Sequence, residues 1–177
     1  NNINCTEVIL MAKNKTKKLT TMAMLFALAI VLSFVESLVA PMFALPPGVK
    51  LGLGNIVVMY CMVYMGYSSA FQVSALKGLF SFLTRGFTAG VLSFTGGVFS
   101  ITIMYLLKKL FGEKINYHTL SVFGALFHNI GQLAAFSVMF ANAAPLAYLP
   151  VLTVSAVAMG LITGSTLKVV IPALKRL

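Results

Sequence analysis

The sequence predicts an all-α membrane protein, a bundle of six transmembrane helices with both termini in the cytoplasm. Of its 177 residues, 59% are hydrophobic and only 9% are charged, whereas a soluble domain carries about 25% charged residues. The apolar residues form long runs separated by short connections, and most positive charges lie at one end of these runs. Because the runs are about twice as long as barrel strands and do not alternate, helices are the structure that satisfies their backbone in lipid.

Six runs approach the length of about 20 mostly apolar residues that a spanning helix needs. The predicted spans are Leu19–Val39, Leu53–Gly66, Ser68–Thr84, Val91–Phe111, Thr119–Ala141 and Tyr148–Ile171. They form one transmembrane domain, residues 17–177, after a cytoplasmic tail of residues 1–16. Since Met11 opens a basic segment typical of a cytoplasmic start, residues 1–10 are expected to be a leader.

The distribution of positive charge predicts the orientation. With six spans, ten of the 13 Lys and Arg residues fall on one side, and such an excess marks the cytoplasmic side. These ten are Lys13, Lys15, Lys17, Lys18, Lys108, Lys109, Lys114, Lys168, Lys175 and Arg176. The net charge of +10 does not indicate nucleic acid, because the sequence has no basic stripe with interleaved aromatics and no nucleic-acid motif. We expect a multi-pass protein of the plasma membrane.

Four charged residues depart from this pattern and are candidate substrate-binding residues. They are Glu36, Lys50, Lys77 and Arg85. An ionisable group at membrane depth costs about 2.5–3.5 kcal/mol on insertion scales and usually marks a site or pathway. The alternative is structural: Glu36 pairs with Lys77, while Lys50 and Arg85 extend to the outer headgroups.

The fifth predicted helix carries three more candidate substrate-binding residues, His128, Asn129 and Gln132. Their spacing of three and four residues predicts one shared helix face, and polar side chains there should face protein or water instead of lipid. Hydrogen bonding between helices is the alternative to ligand contact.

Three helices carry small residues at close spacing. Ala23 and Ala27 lie four residues apart in the first helix, and Gly160 and Gly164 lie four residues apart in the sixth. The fourth helix contains two adjacent glycines, at positions 96 and 97. Small residues let helices approach closely, so these positions serve either packing inside the bundle or docking of a membrane partner.

The sequence offers no catalytic chemistry. It contains no P-loop and no aspartate, so the paired aspartates that bind magnesium and diphosphate in prenyl synthases are absent. Cys5, Cys61, His118 and His128 fit no metal or redox spacing. We therefore predict no enzymatic activity, no catalytic residue, no metal and no cofactor.

The segment Leu45–Asn55, "LPPGVKLGLGN", is predicted to form an outward lid over a pocket lined by helices 1, 3 and 5. Prolines make its start stiff, and glycines let the backbone approach a ligand. Lys50 would offer a charge to an anion, and Asn55 would offer a donor and an acceptor at the floor. The alternative is an ordinary proline–glycine turn.

Two motifs, K-L-G-L-x-N at residues 50–55 and H-N-x-G-Q at residues 128–132, carry a family resemblance. Over roughly residues 17–170 the chain resembles the family described as heptaprenyl diphosphate synthase component I, or Gx transporter. That family is similar to the substrate-binding S components of energy-coupling factor (ECF) transporters. The resemblance implies that Ala23 and Ala27 contact a transmembrane T component driven by two ATPase subunits. It also leads us to expect an arginine where this chain has Lys77, which lacks the bidentate fork.

Three functions follow from these observations. The first is an S component that captures a small molecule outside the cell for ATP-driven import by its partners. The second is a non-catalytic membrane subunit linked to isoprenoid (heptaprenyl diphosphate) synthesis, and the third is a stand-alone transporter or channel. The excess of cations over Glu36 favours an anionic or polar substrate, with Phe43, Tyr60 and Phe80 available for a ring or chain.

Overall fold

The computed structural model describes residues 5–39, 53–141, 147 and 149–174, and within these ranges the chain is helical, without a strand. The helices are α1 (Cys5–Val39), α2 (Leu53–Tyr60), α3 (Tyr67–Arg85), α4 (Phe87–Phe111), α5 (Tyr117–Phe140) and α6 (Leu149–Leu174). A π-helix over Cys61–Met65 continues α2, and a one-turn 3₁₀ helix over Gly112–Lys114 follows α4.

The first helix is longer than predicted. It begins at Cys5, upstream of the predicted start at Leu19, and therefore includes most of the expected tail. No proline or glycine interrupts residues 5–39, and lysine is a good helix former, so the helix continues beyond its apolar part. That apolar part is Thr16–Glu36.

Four helices of the described chain are long and apolar enough to cross a membrane, which makes this a multi-pass membrane-type protein. They are Thr16–Glu36, Phe87–Phe111, Tyr117–Phe140 and Leu149–Lys168. The apolar helix Leu53–Met65 is shorter, about 20 Å against a hydrocarbon core of about 30 Å. The α3 helix, which carries Lys77, Arg85 and four serines, is not among these four. The six-span count and the orientation of the termini stay predictions.

The α2 helix lies at the centre of the bundle. Helices α3, α4, α5 and α6 pack in chain order, α6 also contacts α2, and α1 packs against α2 and α3. Neighbours on several sides explain why α2 and its π-helical continuation are mostly buried, including Val57, Met59 and Cys61. A short apolar helix in this position places its polar residues inside the protein.

Single glycines join α3 to both of its neighbours. Gly66, between the π-helix and α3, has φ 87° and ψ 174°, and Gly86, between α3 and α4, has φ 89° and ψ 177°. Only glycine adopts this region readily. These one-residue connections reverse the chain direction within the shortest possible length, so α3 packs directly beside α4.

The small residues of α4 and α6 serve packing inside the bundle. A Cβ atom on Gly160 would lie 2.5 Å from Val122 Cα, and one on Gly164 would lie 2.9 Å from His118 Cα, both in α5. A Cβ atom on Gly131 of α5 would likewise lie 3.1 Å from the α carbon of Gly96 in α4. The packing interpretation is thus confirmed for these two helices.

Candidate functional site

Three helices meet at Gly54 in the first turn of α2. A side chain at this position would collide with Ser33 Oγ of α1, and its Cβ atom would lie 3.1 Å from Lys77 Nζ of α3. Ser33 Oγ is buried and has no hydrogen-bond partner among the described residues. The missing side chain of Gly54 therefore lets a hydroxyl and an ammonium group approach the α2 backbone from two other helices.

The Lys77 side chain reaches from α3 to α2. Its Nζ atom donates a hydrogen bond of 2.8 Å to Asn55 Oδ1. An ammonium group has three protons to donate, and this bond uses one of them. The bond thus fixes the position of the half-buried ammonium group near the middle of α3, where it bridges to α2.

Glu36 lies on α1, three residues after Ser33, which is about 4.5 Å further along the helix axis. Its side chain is buried, with 7% of its surface exposed. Two of the predicted exceptions to the charge pattern, Glu36 and Lys77, therefore point into the protein from neighbouring helices. Their direct pairing stays a prediction.

The residues Ser33, Glu36, Asn55 and Lys77 are called the Lys77 cluster. A small cavity lies beside it, between α2, α4, α5 and α6. Its volume is about 30 Å³, and the residues around it include Asn55, Ser100, His128, Asn129 and Thr163. About 10–15 Å³ is enough for one water molecule. Asn55 borders the cavity and also accepts the hydrogen bond from Lys77, so it connects the cavity to the Lys77 cluster. The pocket was expected among helices 1, 3 and 5, and of these only α5 lines this cavity. The difference arises because α2 occupies the centre of the bundle.

The three polar residues of α5 contact two different neighbouring helices, although His128 and Asn129 both border the cavity. His128 Cε1 and Gln132 Cγ lie 3.0 and 2.8 Å from where a Cβ on Gly96 of α4 would be. Asn129 turns instead toward α6, where its Nδ2 donates a hydrogen bond of 3.2 Å to the Leu152 carbonyl. Adjacent residues of a helix are about 100° apart, which explains the division.

Arg85 is a predicted site residue that the structure does not bring close to Lys77. Arg85 is exposed at the end of α3 and donates a hydrogen bond of 3.2 Å from Nη2 to Ser81 Oγ. It lies eight residues after Lys77, or about 12 Å along the axis. Lys50 and Phe43 lie outside the described residues, as does most of the predicted lid, of which the structure describes only residues 53–55.

Several polar residues at the site were not predicted from the sequence. Ser33 faces Gly54, while Ser100, Ser121 and Thr163 border the cavity. Serine and threonine are common in membrane helices, where they often bond to their own backbone, so their presence alone indicates little. Ser33 had one usable signal: it lies three residues before Glu36 on the same face of α1.

Labelling of engineered cysteines tests the placement of the α5 residues. In a protein without Cys5 and Cys61, His128→Cys and Gln132→Cys should react much more slowly with a lipid-soluble maleimide than Val138→Cys. His128 is 5% exposed, whereas Val138 is 82% exposed on the same helix. Equal labelling at the three positions would mean that α5 is rotated from the orientation described here.

Apolar helices long enough to span a membrane enclose several buried polar side chains. The protein is therefore a polytopic helical membrane protein with an internal polar site. No group of three or more His, Cys, Asp or Glu residues lies together in the described part of the chain.

The chain belongs to the heptaprenyl diphosphate synthase component I family, whose model matches residues 25–170. The match includes the Gly54 junction, Lys77 and the polar residues of α5. Neither a curated protein nor a solved structure matches the chain.

Proposed function

We propose that this protein is the substrate-binding S component of an ECF transporter. In this role it captures a small molecule outside the cell, and a T component with two ATPase subunits drives import. The observation that carries the proposal is the Lys77 ammonium group, which is held inside the bundle by Asn55 at 2.8 Å. A lysine ammonium group that reaches between helices beside an amide suits binding of an anionic or polar ligand, because the two groups together offer donors and an acceptor.

The face of α1 that is turned away from the bundle is consistent with docking of a partner. Ala23 and Ala27 are exposed, whereas Leu25 and Ala29 are buried against the bundle. The comparable small residues of α6 are covered by α5. The alanine pair of α1 is thus not used for packing among the described residues, and it leaves a shallow strip that a helix of a T component could approach closely.

Purification from native membranes tests this function. The S-component proposal expects a T component and two ATPase subunits to co-purify with the chain. It further expects a small molecule retained by the purified protein to be imported by vesicles of the complex only when ATP is supplied. Uptake by the chain alone without ATP would contradict the proposal and favour a stand-alone transporter.

Leucine at position 23 or 27 should uncouple the protein from its partners. Ala23→Leu and Ala27→Leu should leave folding and ligand retention intact, because both side chains are exposed, while the added bulk holds a partner helix away. Recovery of the T component in pull-downs should fall. Ala134→Leu, at an exposed position of α5, is the matched control and should assemble normally. Normal assembly and transport by both α1 variants would exclude this docking surface.

The family description favours a second candidate, a non-catalytic membrane subunit linked to isoprenoid synthesis. The chain has no aspartate and three glutamates, so acidic metal ligands for prenyl transfer would have to come from another subunit. Co-purification of a prenyl synthase subunit, in place of ATPases, would identify this function.

A further inference from the structure

Three lysines surround two adjoining grooves at the end of the bundle where α4 ends and α5 begins. The first groove, about 260 Å³, is lined by Lys108 and Lys168 together with the α4–α5 connection. The second, about 480 Å³, is lined by Lys108 and Lys109 together with the start of α3. Val63 of the π-helix borders both. These grooves are separate from the Lys77 cluster.

The Lys108 side chain is fixed between the two grooves. It is half-buried, and its Nζ atom donates a hydrogen bond of 2.8 Å to the Val63 carbonyl. One of its three protons is used in this bond, which leaves donor capacity toward the grooves. A lysine held in this way differs from one that extends into water, because its charge stays at a defined position.

Two helix starts add to the positive potential. The second groove includes Gly66 and Tyr67, where α3 begins, and the first includes Asn116 and Tyr117, where α5 begins. Neither start has a side-chain cap. The first N–H groups of a helix are unpaired within it and carry the positive end of its dipole. These N–H groups add to the positive potential of the lysines. Among the side chains that the structure describes, no carboxylate lines either groove.

The tyrosines around the grooves favour a position at the depth of lipid headgroups. Tyr64, Tyr67 and Tyr105 border the second groove and are partly exposed. The Tyr64 hydroxyl lies 3.2 Å from that of Tyr117, which borders the first groove. Tyrosine is enriched at the membrane–water interface, where lipid phosphates lie.

We propose that these grooves bind a phosphate group, supplied by an anionic phospholipid. The phosphate would contact the Lys108 ammonium group, and Lys168, which lines the first groove with it, would complete the charge compensation. A soluble phosphate ester has the same chemistry, but the tyrosine border favours a ligand whose remaining part lies in the membrane. The proposal does not depend on the transport function.

Native mass spectrometry of the purified full chain tests the proposal. Protein in detergent is titrated with phosphatidylglycerol or phosphatidylcholine, and the fraction that retains one lipid is measured. We expect preference for phosphatidylglycerol, and about a fivefold loss of its binding for Lys108→Gln and for Lys168→Gln. Lys168 is exposed, so its variant should fold even if loss of the Lys108–Val63 bond disturbs the π-helix. Lys17→Gln and Lys18→Gln, at exposed positions of α1, are matched controls and should bind normally.

Each outcome has a defined meaning. Loss of lipid binding in the groove variants alone supports the site. Equal loss in the α1 controls, or equal binding of the two lipids, overturns it. A second titration with inorganic phosphate identifies the source: displacement of phosphatidylglycerol by millimolar phosphate would overturn the lipid assignment in favour of a soluble phosphate.

Discussion

Replacing Lys77 by methionine should strip the purified protein of its small molecule while leaving it folded. Methionine matches the length of the lysine stem but removes the charge and the donor to Asn55 Oδ1. Loss of an ion contact in a water-poor site costs binding at least about tenfold, and commonly more. Mass spectrometry of molecules released from wild-type and variant protein would measure the retained amount. Full retention by Lys77→Met would exclude this lysine from the binding site.

Stability measurements separate binding from structural roles. Lys77→Met strands the Asn55 oxygen, which should cost about 1–3 kcal/mol. The double variant Lys77→Met/Asn55→Leu removes both ends of this bond, and it should be more stable than the single variant because no Asn55 oxygen is left without its donor. A double variant as unstable as the single one would show that Lys77 stabilises another group, with buried Glu36 the first candidate.

Gly160→Leu should destabilise the bundle more than any change on its surface. The added Cβ would lie 2.5 Å from Val122 Cα and 2.9 Å from Val122 N. Since the contacted atoms belong to the α5 backbone, they cannot move aside as the end of a flexible side chain can. Overpacking of this kind costs about 1–3 kcal/mol, and more where the backbone must shift. We expect a lower midpoint of thermal unfolding in detergent and less monodisperse protein.

Ala158→Leu is the control for this variant. It adds a leucine two residues away, at an exposed position of the same helix, and should leave the unfolding midpoint unchanged. If both variants unfolded at the wild-type temperature, α5 and α6 would not be in the close contact described here.

Helix positions could be predicted well because their signals are local. Long apolar runs indicated the approximate limits of α4, α5 and α6. The start of α1 could not be predicted from hydropathy, since the helix extends upstream of its apolar part to Cys5. The basic segment there is polar but still favours helix.

The site was predictable only in part. Glu36, Lys77 and Asn55 stood out because ionisable and amide groups are rare in apolar segments. The residues that these side chains contact depend on which helices are neighbours in the bundle. The sequence does not show that α2 lies at its centre. For the same reason Ser33, the split of His128 and Asn129 between two neighbouring helices, and the position of the cavity were not foreseen.

The glycines at both ends of α3 have a mechanical consequence. A helix joined to its neighbours by longer, structured turns is held in place by those turns, whereas α3 is attached at each end through one residue with broad torsional freedom. Its angle in the bundle is therefore determined by the contacts along its length. Lys77, near its midpoint, provides a hydrogen bond to α2 among these contacts, and we expect the tilt of α3 in the bundle to change when this bond is removed.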